Sequence, residues 1–191
     1  MSNKKFIRKK KLLERTSISA QEIENAELKI TSQFVSATSS LNLKKVGIYF
    51  SVQNEVPTFG IANYLRSSGI KCYLPSIEKN LKVKKMRFVE YSIDTKLEKN
   101  QFNIYEPKNH FFLNPLLLDL AILPLVAFDE YGFRLGMGKG YYDLTFQKKK
   151  NQKKPILWGL CYDFQETKTC YPESHDLKMD AILSPSGIRN F

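Results

Sequence analysis

The feature that most constrains the fold is an apolar run that is followed closely by a glycine-rich segment. Residues 117–123 are almost continuously apolar, and Gly132, Gly136, Gly138 and Gly140 follow. A strand of this kind is typical of a sheet that is covered on both faces. Ligands of such α/β domains bind beyond the carboxyl ends of the strands. The glycine-rich segment therefore predicts a binding site.

The rest of the chain alternates between helix-like and strand-like segments. The first forty residues lack Gly and Pro, and Ser19 with Glu22 has the spacing of a capping box, so a helix is expected to begin at Ala20. Strands are predicted at 46–50, 70–74, 86–91, 117–123, 155–162 and 181–183, and further helices at 57–68 and 141–150. This order predicts one domain over residues 1–191, a three-layer α/β/α domain with a mostly parallel sheet and N-terminal helices.

Three punctuating residues define the expected boundaries. Pro57 suits the first turn of the helix at 57–68. Gly69 is expected to end that helix, and Pro75 is expected to close the strand at 70–74.

The glycine-rich segment has the chemistry of an anion site. Glycine reaches positive φ and lets backbone N–H groups approach a ligand, and successive N–H groups can form a nest for phosphate. Arg134 and Lys139 add positive charge. The segment is not a P-loop, because Gly140 follows Lys139, and its G-x-G-x-G pattern is not the dinucleotide fingerprint. Taken alone, it could also be a long turn between a strand and a helix.

The run Phe128–Asp143 closely resembles the signature of 5-formyltetrahydrofolate cyclo-ligases. Other segments agree with the family in order along the chain: Lys4 with Arg8, 50–55, 102–107, 159–165 and 175–180. The resemblance implies an enzyme that uses ATP and Mg²⁺ to cyclise 5-formyltetrahydrofolate to 5,10-methenyltetrahydrofolate. ADP and phosphate are released, through an N5-iminium phosphate intermediate.

The resemblance also implies roles for individual residues. Lys139 and Arg134 would be catalytic. Asp143 and Asp176 would hold Mg²⁺, with Asp129 and Asp180 as weaker candidates. The residues expected to bind ATP are Lys4, Arg8, Arg134, Leu135, Gly136, Met137, Gly138, Lys139, Gly140, Tyr141 and Tyr142. Those expected to bind the folate are Phe50, Glu55, Phe102 and Tyr141.

Two positions depart from the family pattern. The family usually has Trp at the position of Phe102, and Phe retains the stacking surface but lacks the indole donor. A basic residue is common at the position of Met137, and Met cannot pair with a phosphate or a carboxylate. Neither change removes a group that the chemistry requires.

The net charge of +11 attracts anions without choosing among them. A nucleic-acid-binding module is the main rival interpretation, but the sequence has no RNP-like segment, no C-x₂₋₄-C pair and no helix-turn-helix pattern. A family member that has lost activity is a third reading, against which the retained Arg134, Lys139, Tyr141 and Asp143 argue. The basic stripe Lys4, Arg8, Lys11 and Arg15 could simply be a solvated helix face, and the aromatic residues could simply fill a core.

The sequence also indicates where the protein acts and with what. The apolar stretch Leu116–Phe128 is interrupted by Asp119 and Pro124, and is too short for a membrane span of ~20 residues. The three cysteines show no C-x-x-C spacing, which favours a reducing cytoplasm. The expected partner is a small molecule, 5-formyltetrahydrofolate, with or without a polyglutamate tail. No specific nucleic acid and no membrane are expected, and a monomer is expected.

Overall fold

The computed structural model describes residues 3–77, 85–108 and 111–191. Two helices open the chain, α1 (Asn3–Thr16) and α2 (Ala20–Thr38). The predicted capping box is present: the Ser19 hydroxyl accepts a hydrogen bond from the Glu22 N–H, and the Glu22 carboxylate accepts one from the Ser19 N–H. One face of α2 is apolar and is buried at Ala26, Ile30 and Phe34.

Strands and helices then follow in the order typical of a mixed α/β domain. Along the described chain they are β1 Lys45–Gly47, α3 Phe59–Ser67, β2 Lys71–Ile77, β3 Met86–Glu90, β4 Leu97–Lys99, β5 Tyr105–Pro107, β6 Phe112–Leu113, β7 Leu120–Pro124, β8 Ala127–Phe128, β9 Arg134–Leu135, α4 Tyr141–Thr145, β10 Ile156–Leu160, β11 Ala181–Ser184 and β12 Gly187–Asn190. Short 3₁₀ segments lie at Pro115–Leu117, Gln147–Asn151 and Asp163–Gln165.

One eight-stranded sheet organises the domain, with the strand order β12-β11-β10-β7-β1-β2-β3-β6. The five strands from β11 to β2 run parallel, and β12, β3 and β6 pair antiparallel at the two edges. The expected α/β class, the N-terminal helices and the mostly parallel sheet are therefore confirmed.

The core lies in two layers, one on each face of the sheet. On β7 the side chain of Ile122 packs with the α2 residues Ile30 and Phe34, whereas its neighbour Leu123 packs with Phe146 beyond α4. Alternate residues of a strand point to opposite faces, so a nearly continuous apolar run fills both layers.

Several predicted boundaries are wrong. Pro57 lies before the N-cap Thr58 and not inside α3. Pro75 lies within β2, where it pairs with Phe88 of β3. Proline is tolerated there because the β1 ladder reaches only as far as Tyr73, so no strand on that side needs its N–H.

Other elements differ in extent or were not predicted. The strand expected at 117–123 begins at Leu120, because Pro115–Leu117 forms a 3₁₀ turn. The helix expected at 141–150 ends at Thr145 and continues as a 3₁₀ segment. Strands β4, β5, β6, β8, β9 and β12 were not predicted. Gly69, with φ of +69°, ends α3 as expected.

No helix among the described residues is both long and apolar enough to cross a membrane.

Candidate active site

A cleft of about 740 Å³ opens beyond the carboxyl ends of β1, β2 and β7. It is lined by every residue assigned from the sequence to ATP or the folate and by the two preferred metal ligands: Lys4, Arg8, Phe50, Glu55, Phe102, Arg134, Leu135, Gly136, Met137, Gly138, Lys139, Gly140, Tyr141, Tyr142, Asp143 and Asp176. They come from α1, the β1–α3 turn, the β4–β5 hairpin, the glycine-rich segment and the loop before β11.

The glycine-rich segment forms a tight loop between β9 and α4. Gly138 and Gly140 have φ of +83° and +75°, in the left-handed region that favours glycine. The Arg8 Nε donates to the Gly136 carbonyl at 2.7 Å. A Cβ at position 138 would lie 3.4 Å from the Arg8 guanidinium carbon. Helix α1 therefore holds a cation directly against the loop.

Arg134 lies beneath this loop and is almost completely buried. Its Nη2 donates to the Asp143 carboxylate at 3.2 Å, and its guanidinium lies 5.6 Å from the centre of the Tyr142 ring. Its Nε is buried with no hydrogen-bond partner among the described residues. Burial raises the pKa of Tyr142 well above its usual range, so that hydroxyl stays protonated. A buried guanidinium with a spare donor suits a phosphate oxygen.

Lys4 also lines the cleft, where it contacts two carboxylates. Its Nζ lies 2.8 Å from Asp176 and 2.7 Å from Glu173. Burial acts to lower the pKa of Lys4, but the hydrogen bonds to these carboxylates outweigh burial and raise it. Burial acts to raise the pKa of Asp176, but the hydrogen bonds from Lys4 and the Glu173 N–H lower it. Both groups are charged at neutral pH.

Two carboxylates could share a magnesium ion with phosphates in this cleft. Asp143 also accepts the Leu177 N–H at 3.3 Å, so it is held in place from two sides. Within the described residues no three His, Cys, Asp or Glu side chains cluster as a metal site. Mg²⁺ usually takes only one or two protein carboxylates and completes its shell with phosphate oxygens and water. The pair Asp143 and Asp176 fits that donor set.

The two weaker metal candidates do not line the cleft. Asp129 is fully buried and accepts N–H groups from Tyr131, Phe133 and Cys170. These bonds build the turn between β8 and β9. Asp180 pairs with Lys149 and caps the start of β10. Both carboxylates have structural partners that explain them.

Aromatic side chains form the other half of the cleft. Phe102 and Tyr141 meet edge to face with ring centres 5.8 Å apart, and the Lys139 Nζ lies 5.8 Å from the Phe102 ring centre. Phe50 packs on Tyr105 at 5.4 Å. Lys139 therefore sits where the glycine-rich loop meets the aromatic wall.

The basic stripe on α1 is not a solvated face. The side chains of Lys4 and Lys11 are 19% and 13% exposed, and that of Arg15 is only 2% exposed. Lys11 donates to the Phe164 carbonyl and pairs with Glu14. Arg15 does not line the cleft but lies behind Glu55, with its Nη1 3.7 Å from a carboxylate oxygen.

Some lining residues were not found from the sequence. Tyr105 and Asn100 belong to the β4–β5 hairpin, and Tyr105 lies inside the 102–107 segment that carried part of the resemblance. Pro75, Ile77 and Met86 reach the cleft only because β2 and β3 pair beside β1. No local pattern marks these three positions, since their place depends on the strand order.

The fold and the cleft define a class: an α/β enzyme with an anion-binding loop at the carboxyl edge of its sheet. A family model described as the 5-formyltetrahydrofolate cyclo-ligase family matches residues 1–185. A 5-formyltetrahydrofolate cyclo-ligase of Haemophilus influenzae is 35% identical over 173 residues, which cover 88% of this chain and 90% of that one.

Solved structures agree with the sequence comparison. A 5,10-methenyltetrahydrofolate synthetase of Aquifex aeolicus superposes with a TM-score of 0.78 at 26% identity, covering 99% of this chain and 93% of that one. The corresponding protein of Mycoplasma pneumoniae, at 24% identity, has the same fold with a TM-score of 0.76 and coverage of 96% and 99%. The chain belongs to the 5-formyltetrahydrofolate cyclo-ligase family.

The protein is accordingly a ligase of folate metabolism with 5-formyltetrahydrofolate cyclo-ligase activity, and its family is one of ATP-dependent ligases. The resemblance drawn from the sequence is confirmed. The roles of individual residues remain predictions that the geometry makes specific.

Proposed function

We propose that this protein uses ATP, with Mg²⁺ as an unconsumed cofactor, to convert 5-formyltetrahydrofolate into 5,10-methenyltetrahydrofolate by way of an N5-iminium phosphate, with release of ADP and phosphate. The formyl oxygen bonds to the γ-phosphorus while the bond to the ADP oxygen breaks. N10 then attacks the formyl carbon and loses its proton, and the carbon–oxygen bond to phosphate breaks. One observation carries the proposal: Lys139, in the glycine-rich loop, lies beside Phe102 of the aromatic wall, so an anion-binding loop and an apolar surface adjoin in one cleft.

The triphosphate is proposed to lie in the glycine-rich loop. Arg8 contacts the Gly136 carbonyl from α1, and a Cβ at position 136 would lie 3.0 Å from the Arg134 Nη1, so a phosphate chain there would have two guanidinium groups close by. Backbone N–H groups of the loop and the start of α4 would complete the cradle. In phosphoryl transfer the protein mainly positions groups and neutralises charge. These contacts supply both functions.

Asp143 and Asp176 are proposed to hold Mg²⁺. The ion would neutralise phosphate charge and so ease the displacement of ADP. Lys4, which now pairs with Asp176 at 2.8 Å, would remain beside the same phosphates.

The folate is proposed to bind against the aromatic wall, with Phe50 and Phe102 as apolar surfaces and Tyr141 at the reacting end. Glu55 would accept two N–H bonds from the aminopyrimidine edge of the pterin. Lys139, beside both Phe102 and the loop, would place its charge next to the migrating phosphoryl group.

The proposed enzyme acts as a cytoplasmic monomer. Described residues of this chain line both the nucleotide side and the folate side of the cleft. A polyglutamylated folate would extend its tail out of the cleft mouth. No specific nucleic acid takes part in the reaction.

The first experiment follows the near-ultraviolet absorbance of the methenyl product after the purified protein is mixed with 5-formyltetrahydrofolate, ATP and Mg²⁺. A rise that needs both ATP and the metal is expected. If folded protein gives no rise, the proposed reaction is wrong, and nucleotide and oligonucleotide titrations would then test a binding role.

Variants test the two residues on which the mechanism depends most. Lys139→Ala and Asp143→Asn are each expected to lower kcat by at least about a hundredfold, because charge neutralisation is lost in the transition state. Lys148→Ala and Asp94→Asn are matched controls, since both are exposed and lie outside the cleft. A folded Lys139 or Asp143 variant that keeps full activity would contradict the assignment.

A further inference from the structure

Arg15 is a buried cation that the proposed mechanism does not use. Only 1% of its surface is exposed, and its Nε and Nη2 have no hydrogen-bond partner among the described residues. A buried ion pair is often replaceable by apolar residues without loss of stability. Fold stability alone therefore does not account for a guanidinium at this position.

The polar contacts of its guanidinium lead to the wall of the cleft. The Arg15 Nη1 lies 3.7 Å from the Glu55 carboxylate and 3.5 Å from the Leu125 carbonyl. Both Glu55 and Leu125 line the cleft, whereas Arg15 lies behind them. The guanidinium therefore joins the β1–α3 turn to the segment that follows β7.

The turn that carries Glu55 is strained and is held by the same residue. Gln53 and Asn54 have φ of 51° and 58°, an unfavourable region for residues with a side chain. The Asn54 side chain donates to the Arg15 carbonyl at 3.3 Å, and the Glu55 carboxylate accepts the Val52 N–H at 3.1 Å. Such strain persists only where surrounding contacts enforce it. Arg15 supplies two of those contacts, one through its backbone and one through its side chain.

Charge gives Arg15 a second effect on Glu55. Burial raises the pKa of the Glu55 carboxyl, whereas the Arg15 charge and the Val52 N–H act to lower it. Within the described part of the chain, the hydroxyls of Tyr49, Tyr142 and Tyr162 also interact with Glu55, and burial raises their own pKa values. They stay neutral, so Arg15 is the cationic group in this set.

We propose that Arg15 is a positioning residue for the folate: it holds the Glu55 carboxylate in place, ready to accept the N–H donors of the pterin. The inference rests on the proposed function, because it takes Glu55 to be the folate-binding carboxylate. Helix α1 already carries Lys4 and Arg8. Under this proposal the same helix also shapes the folate half of the cleft, through Arg15.

The test uses three single variants, Arg15→Met, Arg15→Lys and Glu55→Gln. It also uses two double variants, in which Glu55→Gln is combined with each Arg15 substitution. The KM for 5-formyltetrahydrofolate and the KM for ATP are measured for each protein. Arg15→Met is expected to raise the folate KM at least about tenfold, because the buried Glu55 carboxylate loses its ion-pair partner, with the ATP KM unchanged. The folate KM of Arg15→Lys should lie between those of the wild type and Arg15→Met, since Lys keeps the positive charge but lacks the planar guanidinium with its several N–H donors. In the Glu55→Gln background the Arg15 effect should shrink to less than about threefold.

Ile30→Ala controls for loss of stability alone. Ile30 is fully buried on α2, and its truncation should lower stability without a selective change in the folate KM. Should Arg15→Met not fold, Arg15→Lys alone decides by the same comparison.

Distinct results separate the possible failures. Equal rises in both KM values, or an Arg15 effect of the same size with and without Glu55, would overturn the inference. If Glu55→Gln leaves the folate KM unchanged, the assignment of Glu55 under the proposed function is wrong and the role of Arg15 is overturned with it. If Glu55→Gln raises the folate KM and Arg15→Met does not, the proposed function stands and only the Arg15 inference is lost.

Discussion

At the scale of single residues, backbone conformation decides how closely the chain can approach an anion. Gly138 is left-handed, and the space where a Cβ would stand is bordered by the Arg8 guanidinium. The glycine therefore allows both the loop shape and the contact with α1. Phosphate needs both, because N–H groups and charge must converge on the same oxygens.

Gly138→Ala is expected to raise the KM for ATP by about tenfold or more. The left-handed conformation costs a side-chain residue about 1–2 kcal/mol, and the loop would relax away from the phosphates to avoid it. Steady-state kinetics at varied ATP measures the effect.

Gly69→Ala is the matched control for that variant. Gly69 has φ of +69° with open space around it, and it ends α3 outside the cleft. The Gly69→Ala substitution should lower the free energy of unfolding by about as much as Gly138→Ala does, and it should leave the ATP KM unchanged. An equal rise in KM for both variants would mean that general destabilisation, and not loop shape, causes the effect.

At the scale of elements, helix α1 connects the two halves of the cleft. Lys4 and Arg8 lie on the nucleotide side and Arg15 lies behind the folate side. With a rise of about 1.5 Å per residue, the stretch from Lys4 to Arg15 extends about 16 Å. One rigid element therefore sets the relative position of groups proposed for both substrates.

Asp119 joins the amino ends of the central strands. Its carboxylate accepts the N–H groups of Lys44 and Lys45 at 2.8 and 3.0 Å and pairs with the Lys154 ammonium at 2.6 Å. Burial acts to raise the pKa of Asp119, but the Lys154 ion pair and the two N–H bonds outweigh it and lower the pKa.

Asp119→Asn is expected to lower the free energy of unfolding at neutral pH by about 2 kcal/mol, the contribution of hydrogen bonds to a charged group. Because the folded pKa is depressed, this contribution is full above the unfolded pKa and is lost as the pH falls through the folded pKa. Urea unfolding of both proteins at neutral and at strongly acidic pH measures the difference, which should vanish in acid.

Glu90→Gln provides the contrast for this prediction. Glu90 pairs with Lys71 on the surface, and the two side chains are 50% and 57% exposed. Its loss should cost no more than about 0.5 kcal/mol. A cost as large as that of Asp119→Asn would show that the two backbone N–H bonds of Asp119 are not the cause of its larger contribution.

Elements with strong local patterns could be predicted from the sequence, and short edge elements could not. The capping box and apolar face of α2 identify that helix without any tertiary contact. Strands β8 and β9 have two residues each, too few for a period, and their turn depends on the buried Asp129. Strand β12 has one apolar residue, Ile188, because it is an exposed edge.

Some cleft residues could likewise be predicted from local sequence patterns, and others could not. Its residues in the glycine-rich segment could be found because their chemistry is concentrated in one run of sequence. Arg15 looked like one more basic residue of a helix stripe, and its burial depends on how α1 packs against the β1–α3 turn. The positions of Pro75 and Met86 in the cleft depend on the strand order, which local sequence patterns do not reveal.

At the scale of the whole molecule, both core layers share one sheet, and the cleft lies along its edge. Strands β7 and β10 contribute side chains to both layers, so neither layer can form without the other. This continuity supports the prediction that residues 1–191 are a single domain. The +11 charge acts at this scale too, since it draws anionic substrates toward the protein from a distance.

A single cooperative unfolding transition is therefore expected, and its midpoint should rise when substrates bind. Ligand at a hundred times its Kd adds about 2.7 kcal/mol to the folded state. For a domain of this size, each kcal/mol moves Tm by about 2–4 °C, so a shift of about 5–10 °C is expected. Calorimetry with a non-hydrolysable ATP analogue, Mg²⁺ and 5-formyltetrahydrofolate measures it, and Asp143→Asn should lose the part of the shift that requires Mg²⁺. Two separate transitions, of which only one moves with ligand, would contradict both the single domain and a cleft that is built from all of it.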